Sequence, residues 1–256
     1  MTNLLDDNVG RVITLLKSSG LWDNTLIVFS SDNGGPEGDG YGGNNFPLRG
    51  GKSSNWEGGV RVNGLVTGGA VPPSKRGTKA EGLIAIEDWY TTFCAIAGVS
   101  PEDPVAAAAG LPPPDGVNQW PYLSGQNDTS PREYVIMGSS DTTNDAGNAI
   151  VTGVLRNDGY KLLLGKLANN WWTGPVYPNS TTYPTGSHNC GDGCLFNVFN
   201  DPSEYSDIAA DHPDIVAALT KVAKDQEATA YNPQRGTDDG EACKKAFSIH
   251  KGFWGP

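Results

Sequence analysis

The chain has 256 residues, of which 37% are hydrophobic, and its formal net charge is −11. That acidity argues against nucleic-acid binding, which needs clustered lysine and arginine to neutralise phosphates. No apolar run approaches the length of about 18 residues that a membrane span requires, and the chain is long enough for one large or two ordinary domains.

The first predicted elements are a helix and a strand. Residues 4–17 predict a helix that ends near Gly20, because apolar residues recur at helical spacing along one stripe. Residues 26–29 are apolar throughout and predict a short strand of the kind covered on both faces, whose neighbouring strands and covering helices we expect from sequence upstream of Met1. A helix that leads into such a strand is typical of a doubly wound α/β sheet. The apolar stripe consists of Leu5, Val9, Val12 and Leu16.

Polar residues follow this strand directly. Asp32 and Asn33 come at its carboxyl end, where open α/β sheets bind ligands, and glycines follow them. Their oxygens suit a hard cation such as calcium or magnesium. Further along the glycine-rich stretch, Lys52 offers a compact positive charge for an anion. The competing interpretation is an Asx-rich turn followed by a glycine-rich surface loop.

The later segments predict two regions, residues 1–125 and residues 126–256. The first would contain part of a doubly wound α/β sheet, and the second would be a smaller antiparallel α+β subdomain. Pro101–Pro121 is rich in proline, alanine and glycine and is the best candidate for the linker between them. The remaining predicted elements are a strand around residues 60–66, a helix over 80–97, strands at 134–137, 153–155, 160–164 and 195–199, and a helix over 213–228.

Several segments together resemble one enzyme family. The strings SSDNGG and NNFPLRGGKSSNWEGGVRV, the segment RNDGYKL, the turn LFNVFNDPSE and the final FWGP are similar to the sulfatases, and in particular to arylsulfatase B-like enzymes. The resemblance implies a partial alkaline-phosphatase-like fold, in which residues 1–125 are the carboxyl-terminal part of the catalytic domain, and calcium-dependent hydrolysis of sulfate esters. It assigns Asp32 and Asn33 to the calcium ion and Lys52 to the substrate sulfate.

The chain departs from the family pattern at the nucleophile. Sulfatases make formylglycine from a Cys or Ser in a C-x-P-S-R segment, and none of the four cysteines here is followed by x-Pro-Ser-Arg. We therefore expect this to be a carboxyl-terminal part that needs the amino-terminal half of a sulfatase as its partner and is inactive alone. The alternatives are a phosphate-ester hydrolase of the same fold and a non-catalytic remnant that binds an acidic glycan.

Cysteines and sequons bear on the compartment. Cys190 and Cys194 could close a small disulfide through flexible glycines, whereas a metal site would need two more ligands. Asn127 and Asn179 begin glycosylation sequons. The first residues lack the basic start and apolar core of a signal peptide. The family resemblance nevertheless implies a secreted or lysosomal parent protein.

Overall fold

The computed structural model of the chain describes residues 2–37, 41–143, 149–175, 186–230, 240–249 and 251–252, without the side chains of residues 139–143, 149 and 243. The helices are α1 (Thr2–Ser18), α2 (Glu57–Val60), α3 (Asp88–Ala97), α4 (Pro104–Ala108), α5 (Trp120–Ser124), α6 (Pro213–Thr229) and α7 (Gly240–Ser248). The strands are β1 (Ile27–Ser30), β2 (Gly64–Thr67), β3 (Tyr134–Thr143), β4 (Ala149–Arg156), β5 (Tyr160–Leu163), β6 (Lys166–Leu167), β7 (His188–Asn189) and β8 (Cys194–Asn197).

The first helix and strand form where the sequence predicts them, and many of their apolar side chains are exposed. Strand β1 pairs antiparallel with β2, Ile27 lying opposite Thr67. None of the α1 residues is buried, and Phe29 and Leu65 on the two strands are 38% and 51% exposed. Apolar side chains of these strands are therefore in contact with solvent in the described part of the chain. That the strands are covered on both faces by elements from outside this chain stays a prediction.

The second region contains the predicted antiparallel sheet with a covering helix. Its strands lie in the order β3-β4-β5-β8, and all three pairs are antiparallel. The predicted hairpin turn joins β4 to β5, with Gly159 at a φ of 88°. Helix α6 packs on one face of the sheet, because apolar residues of both form a single cluster. Its buried members are Val151, Val154, Leu162, Leu195, Leu219 and Ala223.

Three predicted boundaries need correction. The helix expected over 80–97 begins only at Asp88, since Gly82 N donates to the Tyr122 hydroxyl and Ala85 N to the Asp88 carboxylate. The strand expected from residue 60 begins at Gly64, after the short helix α2. The proline-rich stretch is not a free linker, because it forms α4 and α5 and Gln119 within it is fully buried.

Polar contacts join the two regions in several places. Arg132 forms a salt bridge with Asp88, and Arg49 donates a hydrogen bond to the backbone of Glu204. The division near residue 125 remains a prediction. Within the described ranges, no helix combines the length and the apolarity that crossing a membrane demands.

Candidate functional site

The Asp32–Asn33 turn follows β1 immediately and is held by local hydrogen bonds. Ser31 N donates to Asn63 O across the β1–β2 pair at 3.1 Å. Asp32 Oδ1 accepts the Asn33 N–H at 2.9 Å, and Asn33 Nδ2 donates to Gly34 O at 2.9 Å. Asp32 is exposed and Asn33 is half-buried. The turn therefore presents both side chains at the end of the strand.

This turn interlocks with the loop that carries Lys52. Gly34 N donates to Gly59 O at 2.9 Å, and Lys52 N donates to Gly35 O at 3.2 Å. The two backbones approach so closely that a Cβ atom on Gly34 would lie 1.7 Å from Gly58 O. Only glycine fits such a contact. The structure thus brings the backbones of the two predicted segments together.

A third segment closes over the same loops. The Asn45 side chain accepts from Gly35 N at 2.8 Å and donates to Gly35 O at 2.9 Å. The buried Glu37 carboxylate accepts from Asn45 N, Thr173 Oγ1 and Trp171 Nε1, at 2.9, 3.1 and 2.6 Å. Because Thr173 and Trp171 belong to the second region, the hydrogen bonds of Glu37 connect the candidate site to that region.

The side chain of Lys52 is exposed, and its Nζ forms no hydrogen bond within the described part of the chain. The backbone oxygen of Lys52 accepts from Asn169 Nδ2 at 2.8 Å. Asp32 Oδ2 also receives no hydrogen bond from the described residues, and Asn33 has its amide nitrogen directed at a backbone oxygen. The oxygens of this pair are chemically suited to calcium, although two donors fall short of the 6–8 that the ion takes.

Arg49 anchors the loop that carries Lys52. Its guanidinium lies between two indole rings, with Cζ 3.6 Å from the ring centroid of Trp56 and 4.6 Å from that of Trp172. It also donates to the Asn170 side chain and to Glu204 O. Burial lowers the pKa of Arg49 to about 10, and this effect outweighs that of the nearby carboxylates, which raise the pKa. The residue remains a cation at neutral pH and anchors the loop by cation–π contact.

A fully buried ion cluster lies at the other end of the loop. Lys161 Nζ is 2.8 Å from Glu57 Oε1 and 2.9 Å from Glu204 Oε1. Burial alone would lower the pKa of Lys161, but the two carboxylates raise it. Burial and the charge of Glu57 raise the pKa of Glu204, opposed by Lys161. The lysine of β5 is thus paired with α2 and with the turn that follows β8.

Cys190 and Cys194 form a disulfide. His188 lies beside them, and the ligand atoms of the three residues are within 4.8 Å of one another. Since the two sulfurs are bonded to each other, they offer no thiolates to a metal ion. The disulfide packs in the same core cluster as Trp56. Burial and the nearby Arg49 lower the pKa of His188, so its imidazole is neutral at pH 7.

The structure describes only one of the two glycosylation sequons. Asn127 is exposed on the turn after α5, where an oligosaccharide would find room. Asn179 lies outside the described residues, as does the final FWGP segment.

Three buried charged residues at this site, Glu37, Lys161 and Glu204, were given no role from the sequence. Lys161 and Glu204 lie in the motifs RNDGYKL and LFNVFNDPSE. The charge of Lys161 within an apolar strand was a further signal, because a buried charge requires a partner. Glu37 lies in no such motif. The partners of Glu37 and Glu204 could not be predicted, since Trp171 and Glu57 lie more than one hundred residues away from them along the chain.

Comparison with known proteins bears on the identity of these loops. Residues 3–99 match the sulfatase family. Arylsulfatase J of Mus musculus is 29% identical over 274 residues, which include the whole chain and 43% of the relative. Residues 3–99 thus belong to a sulfatase family domain. An N-acetylgalactosamine-6-O-sulfatase of Bacteroides thetaiotaomicron is also 29% identical, over 85% of the chain and 39% of the relative.

The fold agrees with the sequence match. The PsFucS1 sulfatase from Pseudoalteromonas sp. superposes with a TM-score of 0.65 and 29% identity, covering 89% of the chain and 42% of that structure. The sulfatase domain therefore has the alkaline-phosphatase-like fold, here mixed α/β with antiparallel sheets. The chain spans less than half the length of each of these three relatives.

Proposed function

We propose that this sulfatase domain hydrolyses sulfate esters in a calcium-dependent reaction. The observation that supports this most strongly is the interlocking of the two loops, in which Lys52 N donates to Gly35 O and Gly34 N to Gly59 O. This packing sets the backbone that carries the free ammonium group of Lys52 against the turn of Asp32 and Asn33. In this proposal an anion binds the ammonium group of Lys52, beside the oxygen donors that suit a hard metal ion.

In this proposal each group has one role. Lys52 neutralises an oxygen of the sulfate and stabilises the charge that develops there, as preorganised cations do in other hydrolases. Asp32 and Asn33 would hold calcium, which when bound withdraws charge from the sulfate oxygens. The nucleophile, expected to be formylglycine, and the remaining calcium ligands would come from an amino-terminal part of a sulfatase domain.

That amino-terminal part is the partner we propose for the site. The coverage of less than half of each relative supports this, and so does the apolar surface of α1, which has no buried residue. We use the term reconstituted domain for the chain combined with an amino-terminal sulfatase half that carries the C-x-P-S-R segment. The disulfide supports an oxidising compartment, in keeping with a secreted or lysosomal parent protein glycosylated at Asn127 or Asn179.

The alternative functions make different predictions. None of the four cysteines is followed by x-Pro-Ser-Arg, so the chain by itself lacks the nucleophile. If no amino-terminal half restores activity, the function is that of a non-catalytic remnant. A phosphate-ester hydrolase would cleave an aryl phosphate faster than the matching aryl sulfate. Comparing the two esters on the reconstituted domain separates all three functions.

The decisive variant is Lys52→Ala. In the reconstituted domain we expect it to lower kcat for an aryl sulfate by about 10² or more, the effect of removing one charge-stabilising donor. Lys79→Ala, also an exposed lysine in an irregular segment, should leave the rate unchanged. Near-normal turnover of Lys52→Ala would assign this lysine to loop structure and contradict its role in sulfate binding.

Calcium affinity tests the other half of the proposal. The chain by itself should bind calcium weakly, because Asp32 and Asn33 supply only two of the oxygen ligands that the ion takes. The reconstituted domain should bind it more tightly, and Asp32→Ala should remove that gain. Calorimetric titration measures both affinities. Micromolar binding by the chain alone, lost in Asp32→Ala, would show that the chain already contains a complete site.

A further inference from the structure

Glu204 combines three features that are costly for a glutamate. Its φ is 53°, in the left-handed region of backbone conformation that residues other than glycine rarely adopt. It is 0% exposed, and its Oε1, although 2.9 Å from Lys161 Nζ, has no partner in hydrogen-bonding geometry among the described residues. Strained, buried charges of this kind persist where the surrounding structure uses them.

Glu204 contacts both ends of the loop that carries Lys52. At one end, Arg49 Nη1 donates to the backbone oxygen of Glu204 at 3.0 Å. At the other end, Glu57 N donates to Glu204 Oε2 at 2.7 Å. The loop between Arg49 and Glu57 is therefore closed on a single residue of the second region.

We propose that Glu204 is a positioning residue, which fixes Lys52 by binding both ends of its loop. This inference rests on the proposed role of Lys52 in sulfate binding. Glycine at position 204 would relieve the backbone strain and keep the oxygen that Arg49 contacts. Only a side chain with an acceptor at this reach can also hold Glu57 N. The side chain of Glu204 is thus needed to bind Glu57 N, although glycine would suit the backbone conformation better.

Lys161 explains how a carboxylate can occupy this position. Its ammonium group pairs with Glu204 and with Glu57. The positive charge of Lys161 therefore balances the buried carboxylate of Glu204, which accepts the hydrogen bond from Glu57 N. Glutamine at position 204 has one acceptor oxygen in place of two. It could serve Glu57 N or Lys161, but not both as well as the carboxylate does.

The first test measures amide hydrogen exchange in the chain. In Glu204→Gly, we expect the amides of residues 52–59 to exchange about tenfold faster or more, since a charge-assisted hydrogen bond is lost, while those of β4 and β5 keep their protection. Glu204→Gln should give a smaller effect in the same segment. Lys251→Gly is the matched control, because Lys251 also has a φ of 53° but is exposed.

The second test is a double-mutant cycle for kcat/KM in the reconstituted domain. Glu204→Gly and Glu204→Gln should lower kcat/KM in wild type but have little further effect in Lys52→Ala, since residues that act through one another are not additive. Fully additive losses, or exchange rates like those of wild type in both variants, would overturn the inference. If Lys52→Ala alone has no effect, the proposed function fails, and the exchange rates still decide whether Glu204 holds the loop.

Discussion

Single buried carboxylates organise both regions of the molecule. Asp88 is fully buried and accepts from the backbone nitrogens of Ala85 and Val117, at 2.9 and 2.8 Å, and from Arg132 Nε at 2.7 Å. Three separate segments therefore meet at one side chain. Burial would raise the pKa of Asp88, but the hydrogen bonds, led by that of Arg132, bring it below its ordinary value.

The lowered pKa predicts how stability depends on pH. Ionised Asp88 stabilises the fold above its ordinary pKa of 3.8, and this contribution is lost as the pH falls through the still lower pKa of the folded state. At neutral pH, Asp88→Asn should cost about 3 kcal/mol or more, because it leaves Arg132 buried without its main partner.

Chemical denaturation of wild type and Asp88→Asn at several pH values measures this effect. The difference in their free energies of unfolding should be constant at neutral pH and shrink in the acidic range. Asp192→Asn, which changes an exposed aspartate, should show a small difference throughout. A difference for Asp88→Asn that is independent of pH would assign its effect to shape rather than charge.

At the scale of elements, the contact between the two glycine-rich loops sets the geometry of the candidate site. Gly34→Ala would place a Cβ atom 1.7 Å from Gly58 O, so the loops would have to separate. We expect faster amide exchange at Gly34 and Lys52 and a loss of kcat in the reconstituted domain. Gly42→Ala, where a Cβ would meet nothing within 4 Å, is the control. Unchanged exchange in Gly34→Ala would show that the loops accommodate the methyl group.

Elements with their own local signals could be predicted from the sequence. Helices α1 and α6 lie close to the expected bounds and the β4–β5 turn forms where expected, although β4 begins four residues earlier than predicted, because apolar spacing, Pro213 and the Asn-Asp-Gly turn act locally. The loop pair at Asp32 and Lys52 was predicted from a family resemblance. Its roles in calcium and sulfate binding stay predictions.

Other elements depend on distant partners and could not be predicted in this way. Helix α2 includes residue 60, where the strand was expected to start, and Glu57 N in this helix donates to a carboxylate 147 residues away. The start of α3 depends on contacts to Tyr122 and Arg132. No local pattern records such partners, so tertiary contacts overrode the intrinsic preferences of these segments.

At the scale of the molecule, apolar side chains remain exposed over α1, β1–β2 and α3. The exposed apolar residues of these elements include Leu4, Leu5, Val12, Leu15, Phe29, Leu65, Tyr90 and Phe93. Exposed apolar surface favours association. The net charge of −11 opposes self-association of the chain, and salt screens that repulsion.

We therefore expect the chain alone to self-associate increasingly as the salt concentration rises, and to remain dispersed in the reconstituted domain. Static light scattering measures both. Leu5→Glu combined with Val12→Glu should reduce the association, whereas Val105→Glu on α4, a position 77% exposed outside these elements, should not. A monodisperse chain at every salt concentration would contradict the prediction.

The contacts of Glu204 also set an order of events during synthesis. Arg49 and Glu57 bind a residue that lies 155 and 147 positions later in the chain. Ribosomes add about 5–20 residues per second, so the Lys52 loop leaves the ribosome on the order of ten seconds before its anchor exists. Throughout that interval the loop cannot reach its final geometry. The candidate site is thus among the last features to form, and a chain interrupted before residue 204 would contain the site's residues without their arrangement.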